Sequence, residues 1–350
     1  MLDLNGPVPA AGVEQPKKQM LTWTLNEGRY KVSINSSSLD LVSTCLRKAH
    51  YSLNLGLQKP EESTALAFGS SVHKALELWY QLPVAQRALP KAYEEQAELY
   101  AFGQDLDKPA EHPALECLRQ FVLCRHTTLA SLPETDRRSL ASGIRILKAY
   151  FKHYAEDGFV VALDDEGKPL VERTIAAHLS TVEFNGLPVD IEYFGTVDVI
   201  LKNQHTGFLM VADHKTTTAL GAEFYNRCKP NPQYTGYVWL ARKLGINTSM
   251  FMINGIQTAK TKTEFARQVT ERTEDDFEEL KSSVERAVVQ WLWSAHVLEA
   301  QGLVKAYPMT SPNPCSMYGG CQFRTVCELP PAMRENAIRA NFKELNNATL

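Results

Sequence analysis

What the chain lacks narrows it first. Nowhere in its 350 residues is there a run approaching the ~20 apolar residues of a membrane span. Met1 to Met20 contains Asp3, Glu14, three prolines and only a late Lys17-Lys18 pair. It has neither the hydrophobic stretch of a signal peptide nor the arginine-rich amphipathic character of a transit peptide. Residues 1–30 therefore read as a flexible tail. A phosphate-binding Gly-x₄-Gly-Lys-Ser/Thr loop is also missing, because Gly167-Lys168 is followed by Pro169. The chain has no ATP motor of that type, and a helicase would be a separate partner. Positive charge is not in excess: 37 Lys and Arg stand against 40 Asp and Glu, a net −3. That excludes a protein that coats nucleic acid by bulk charge, though not one with a local basic groove. Seven cysteines are too few for a disulfide scaffold and odd in number, so their spacing matters more than their count. These absences point to a soluble protein of a reducing, cytoplasmic compartment with no membrane partner.

What is present is enough to build a core, with 44% hydrophobic residues. Ser37 with Asp40 forms a capping-box-like start to a helix of about 15 residues, and Gly69-Ser70-Ser71 opens a second helix. Residues 83–158 are helical in pattern, broken at Pro90, Pro109, Pro113 and Pro133, and read as a helical insertion. The pattern then turns β-rich at Leu170 to Phe184, Ile191 to Leu201 and Phe208 to Ala212, with turn-forming Asn185-Gly186 and Thr206-Gly207 between them. Pro232 to Leu244 returns to helix, Ser249 to Ile256 to strand, and Thr273 to about Glu299 to a long helix. The segment from Tyr307 to Pro331 is rich in Pro, Gly and Cys and has no periodicity. The fold class expected is α/β.

Gly195-Thr196-Val197-Asp198 lies within one β run, and Val211-Ala212-Asp213-His214-Lys215 ends the next. Consecutive antiparallel strands can set Asp198 beside Asp213. Two carboxylates there call for a cation, and hard oxygen ligands suit Mg²⁺ or Mn²⁺. Lys215, two residues past Asp213, points to the same face and can hold a water or stabilise charge on a phosphate. His73 on the helix after Gly69, and Gln233 with Tyr237 four residues apart, are by themselves readable as structural.

Their order carries more. Gly69 to His73, Glu172, Gly195 to Asp198, Asp213 to Thr216 and Gln233 to Tyr237 form a series that resembles the RecB-type branch of the PD-(D/E)XK nuclease superfamily. That branch includes the CRISPR-associated exonucleases of spacer acquisition and the AddB nuclease domain. The resemblance covers residues 36–240 apart from 83–158. It implies a restriction-endonuclease-like core, with a mixed central sheet flanked by helices, over residues 31–330. Residues 332–350 would form a terminal helix or tail. His73, Asp198 and Asp213 would ligate Mg²⁺ or Mn²⁺, helped by the backbone carbonyl of His214. Lys215 would be the catalytic lysine, Gln233 and Tyr237 would steady it or hold the DNA backbone, and Glu172 would be a supporting acid on the first strand of the core, available to a second metal. The third motif carries Asp213, the less frequent acid of the branch at that place.

Cys315, Cys321 and Cys327 recur with five residues between neighbours, and Cys45 lies 270 residues upstream of the first. Such a group suits a metal centre that orders an aperiodic segment. Zinc takes the same ligands. One cysteine before the core and three after it resembles the 4Fe–4S clasp of the AddB and CRISPR-associated nucleases, although the last three are more widely spaced than usual. Cys117, Cys124 and Cys228 read as packing residues.

From Asp213 to Lys262 there are seven basic residues (Lys215, Arg227, Lys229, Arg242, Lys243, Lys260 and Lys262) against Asp213 and Glu223. This enrichment suggests a path for a DNA backbone, with Tyr225, Tyr234 and Tyr237 available to stack on bases. The function expected is metal-dependent hydrolysis of single-stranded or end-frayed DNA by an exonuclease, in recombination, repair or CRISPR-type processing. Two alternatives stay open: a non-catalytic DNA-end-binding or adaptor module, and a zinc-stabilised structural protein.

Overall fold

The computed structural model describes residues 21–259, 263–308, 312–316 and 320–344. Its strands are β1 (Leu21–Asn26), β2 (Arg29–Ile34), β3 (Leu57–Gln58), β4 (Phe159–Val161), β5 (Val171–Phe184), β6 (Leu187–Asn203), β7 (Leu209–Thr217), β8 (Met250–Gln257), β9 (Phe265–Glu271) and β10 (Lys343–Glu344). The longer helices are α1 (Ser36–Thr44), α2 (Thr64–Gln81), α3 (Glu94–Ala101), α4 (Pro113–Cys124), α5 (Leu140–Tyr154), α6 (Pro232–Lys243), α7 (Glu274–Gln301) and α8 (Pro331–Asn341). Among the described residues no helix is long and apolar enough to cross a membrane.

One eight-stranded sheet organises the chain in the order β1-β2-β6-β7-β8-β9, with β4 and β5 also pairing with β6. β2–β6 and β7–β8 are parallel and the other pairs antiparallel. This is the helix-flanked mixed sheet of a restriction-endonuclease-like core. The Asn185-Gly186 turn takes the form its residues favour. Both lie at positive φ, +51° and +75°, which matches a two-residue hairpin to the twist of β5 and β6. α7 starts at a capping box in which Thr273 and Asp276 satisfy each other's backbone N–H groups.

Each face of the sheet buries its own core. Val32, Ile191, Val238, Leu280, Val288 and Trp291 lie under α1, α6 and α7. Phe68, Leu76, Phe121, Leu147, Val199 and Met252 lie under α2, α4 and α5. The helical stretch 83–158 thus shares a core with the sheet. A smaller cluster of Tyr51, Leu57, Phe323 and Val326 joins the two ends of the domain, where β3 pairs with β10.

Three local expectations change. Strand structure begins at Leu21, inside the stretch read as a tail, and β1 turns into β2 at Glu27 and Gly28, both at positive φ. The alternation Tyr30-x-Val32-x-Ile34 was the available signal. The cap of α1 is Asn35, whose side chain accepts from Ser38 N–H, and the helix stops at Cys45 because that residue is extended. A short helical turn (Leu46–Ala49) and a π turn (His50–Asn54) follow it. α2 begins at Thr64, so Gly69 lies inside the helix.

Candidate active site

An irregularity in β6 opens the site. Val189, Ile191, Tyr193 and Val197 belong to the core under α6 and α7, but Val199 and Leu201 belong to the opposite one. Inward parity therefore reverses at Asp198, which a regular strand does not allow. The β6–β7 ladder ends at Val199↔Ala212. Beyond it, the His214 N–H bonds to Asp198 Oδ2 at 2.9 Å instead of to a strand. Glu172 lies across from Asp198, between the pairs Val171↔Val199 and Arg173↔Val197. Its φ of +47° is a left-handed conformation that costs a non-glycine residue about 1–3 kcal/mol and that functional sites tend to retain.

His73 approaches from α2. Its Nε2 lies 2.7 Å from the His214 carbonyl oxygen and donates to it. Its Nδ1 is 3.3 Å from Asp198 Oδ2. A neutral ring donating from Nε2 turns the Nδ1 lone pair toward the carboxylates, which is unfavourable unless a cation or proton lies between them. His73, Glu172 and Asp198 each offer a ligand atom within 4.8 Å of one another. Among the described residues this trio is the group that closes so tightly. Asp213 is held instead by Lys215, whose Nζ is 2.8 Å from Oδ2 and 3.1 Å from Oδ1. The His214 carbonyl, expected to face a metal, is engaged by His73.

The electrostatics favour a positive charge at this place. Asp198 is 9% exposed and Asp213 1%. Burial and then the Asp213 charge push the Asp198 carboxyl up to about 6. Glu172 remains exposed as a residue, but its carboxyl group lies among other acids. Desolvation there, followed by the Asp198 charge, pushes it up to about 7. Burial opposes the charge on Lys215, yet Asp213, Tyr234 and Asp198 outweigh it and raise its pKa. Asp213 Oδ2 is buried with no hydrogen bond beyond this ion pair. Oxygen-rich donors with unsatisfied lone pairs and one imidazole suit a hard divalent cation.

Gln233 donates to Tyr237 Oη at 2.9 Å, while the ring over Lys215 Nζ, at 6.0 Å, is that of Tyr234. Gly195 makes room for the neighbouring helix: a Cβ there would meet the Tyr237 ring at 3.0 Å.

Behind β7, sequence reasoning missed a buried polar network. Asn254 Nδ2 donates to His214 Nδ1 at 2.8 Å and to Tyr150 Oη at 2.6 Å. The Tyr150 and Tyr80 hydroxyls are 2.7 Å apart, and Arg267 donates to Tyr80 at 3.0 Å. Arg267 also pairs with Asp157 at 2.6 Å, and Tyr80 stacks on the His214 ring. His214 is fully enclosed, and burial drives its pKa far down, so it stays neutral.

Three of the four candidate cluster cysteines, Cys45 near one end and Cys321 and Cys327 near the other, are neighbours. Burial raises the Cys327 thiol, Arg47 lowers it, and Cys321 and Cys45 raise it as neighbours. Cys321 N–H donates to the Cys315 carbonyl at 3.0 Å. By contrast, among the described residues the basic stretch does not form an open path. Arg227 pairs with Glu223, Lys229 with Asp276 and Arg242 with Glu274, while Lys243 lies over Trp239. Lys260 and Lys262 fall outside the described residues. Tyr234 and Tyr237 are buried and cannot stack on bases, whereas Tyr225 is half-buried.

Comparisons with known proteins complete the picture. None of the curated proteins matches the chain. Among solved structures, the crystal structure of SSO0001 aligns over 74% of this chain and 95% of its own at 12% identity, with a TM-score of 0.26 that is too low to bear on the fold. The family model of the PD-(D/E)XK nuclease superfamily matches residues 33–328. With that match spanning most of its length, the chain belongs to the PD-(D/E)XK nuclease superfamily.

Proposed function

We propose that the chain is a Mg²⁺- or Mn²⁺-dependent DNA exonuclease of the RecB type, acting on single-stranded or end-frayed DNA. The observation that carries this reading is the convergence of His73, Glu172 and Asp198 beside the Asp213–Lys215 pair. His73, Glu172 and Asp198 would hold the ion, with Asp213 joining them if Lys215 turns to substrate. A bound divalent ion would neutralise the acids and stabilise charge on the phosphate and leaving oxygen. Lys215, held protonated, serves as a donor to the phosphate oxygens and not as a base. Of the three acids Glu172 is the exposed one, so it is placed to take the proton of the attacking water.

The test incubates end-labelled DNA with Mn²⁺ or Mg²⁺ beside Lys215→Ala and Glu172→Gln. Linear single strands should be degraded from an end and covalently closed circles left whole. Equal cutting of circles would make the protein an endonuclease. No cutting by wild type at all would leave a DNA-end-binding or adaptor role.

We further propose that Cys45, Cys315, Cys321 and Cys327 hold a 4Fe–4S cluster that fastens the C-terminal segment to the residues after α1. The shared surroundings of Cys45, Cys321 and Cys327 and the β3–β10 pairing support it. Iron and acid-labile sulfide should be present after anaerobic purification. Zinc without sulfide would refute the assignment.

A further inference from the structure

A cavity of about 870 Å³ opens beyond the carboxyl ends of β7 and β8. α5 contributes Lys152 and His153 to its lining, the segment after β7 contributes Leu220 and Tyr225, and the start of β9 contributes Phe265 and Ala266. Its volume is that of a small-molecule or nucleotide site.

Ala266, in the cavity's lining, lies two strands from Lys215. Register pairs Lys215 with Gly255 on β8, and Gly255 with Ala266 on β9. A Cβ at Gly255 would lie 2.5 Å from Leu220 Cδ2 and 2.9 Å from the Phe224 ring. The bare glycine thus lets the segment after β7 close over this row. Arg145 of α5 fixes the other wall, bonding Thr263 Oγ1 at 2.5 Å and the Ala259 carbonyl at 2.7 Å.

The lining has two kinds of chemistry. Tyr225 and Phe265 are half-buried rings, and Lys152 and His153 are exposed basic side chains. Glu264 is the one acid among the lining residues. Flat rings beside a cation suit a nucleobase and its phosphate. Four of the cations that the sequence offered for this purpose, Lys215, Arg227, Lys229 and Arg242, are instead paired with acids.

We propose that this groove seats the unpaired DNA strand next to the scissile phosphate, with a base against Tyr225 and Phe265 and a phosphate at Lys152. The proposal rests on the nuclease reading. It also gives the helical stretch 83–158, through α5, a substrate-binding role.

The experiment compares wild type, Tyr225→Ala and Lys152→Ala on labelled oligothymidylate and on the dinucleotide TpT with Mn²⁺. Binding of the oligonucleotide is followed in parallel by fluorescence anisotropy without metal. Each variant should raise KM and Kd for the oligonucleotide by about 10-fold. TpT, the shorter ligand, should lose less. Lys152→Ala should flatten the log Kd against log salt slope by about 0.7, one phosphate contact of a single strand. Unchanged KM and Kd in both variants would overturn the groove while leaving the active site in place. A blunt duplex that binds as well and suffers equally would overturn the assignment to an unpaired strand. If wild type cuts nothing, the nuclease reading fails, and the anisotropy arm still decides the groove.

Discussion

The two faces of β7 differ sharply in how their polar groups are satisfied. Toward one face, Asp213 and Lys215 join Asp198, Glu172 and His73 in a cluster where carboxylates crowd and pKa values rise. Toward the other, His214 enters a closed chain of hydrogen bonds through Asn254, Tyr150 and Tyr80 to Arg267 and Asp157. The first face crowds acids around one lysine; the second, in which Asp157 Oδ2 likewise rests on its ion pair alone, spends its polarity on holding position. Unsatisfied buried groups in a native structure call for an explanation, and on the proposed reading it is a bound divalent ion. The satisfied network explains why the unsatisfied one persists. Both Asp198 and His73 bond the peptide groups of His214, at its N–H and its carbonyl, so whatever fixes His214 fixes them.

The largest expected effect comes from the unsatisfied face. Lys215→Ala should lower kcat by roughly 10²–10³, the usual loss when one donor to a developing anion is removed. Mn²⁺ affinity, followed by electron paramagnetic resonance, should change little, because the lysine is not a ligand. A variant that loses metal and turnover together would show that Lys215 shapes the site and does not act in it.

Breaking the other face should do the reverse. Asn254→Leu leaves His214 Nδ1 without its donor, at a cost of about 1–3 kcal/mol, while the Tyr150 hydroxyl keeps Tyr80. Urea unfolding should register that loss. The Mn²⁺ needed for half-maximal rate should rise about 10-fold, since the His214 peptide no longer holds Asp198 and His73 in one place. Turnover at saturating metal should stay closer to wild type than in Lys215→Ala. Lower stability with unchanged metal demand would mean that the two faces are independent and that the network is only packing.

How much of this could be read in advance depends on distance along the chain. Asp213 and Lys215 were legible because strand alternation puts residues two apart on one face. Asp198 followed from the neighbouring strand. Glu172 could be seen as a supporting acid available to a second metal, but not as a neighbour of His73 and Asp198. Its place among the metal-ligating candidates needs a left-handed φ and its register opposite Asp198, and a glutamate in a β-rich run announces neither. The network of Tyr80, Tyr150, Asn254 and Arg267 gave no signal, because its members sit on four separate elements and look ordinary on each. The basic stretch misled for a related reason. Counting charges within a window misses acids outside it, and Asp276 and Glu274 of α7 neutralise Lys229 and Arg242. The tail assignment failed at β1, whose partner β2 gains its own pairing from β6 about 160 residues later.

The smallest effect probes the unsatisfied face without breaking it. Glu172 and Asp198 titrate near 7 and 6 in the folded protein, above the ~4.3 and ~3.9 of the unfolded chain. Between those limits the folded state binds more protons than the unfolded state, so these two groups make stability fall as pH rises from about 4 to about 7 and add no further slope above that. Other groups titrate in the same window, and the difference between wild type and Glu172→Gln isolates the local contribution. Measured by thermal unfolding in chelator, wild type should lose a few degrees relative to Glu172→Gln between pH 5 and pH 8, about the shift that a change of order 1 kcal/mol produces. A divalent ion competes with those protons and should stabilise wild type at pH 8 more than at pH 5. Equal stabilisation by Mn²⁺ at both pH values would mean that the acids do not meet the ion. The contrast between the faces of β7 would then lose its explanation in metal binding.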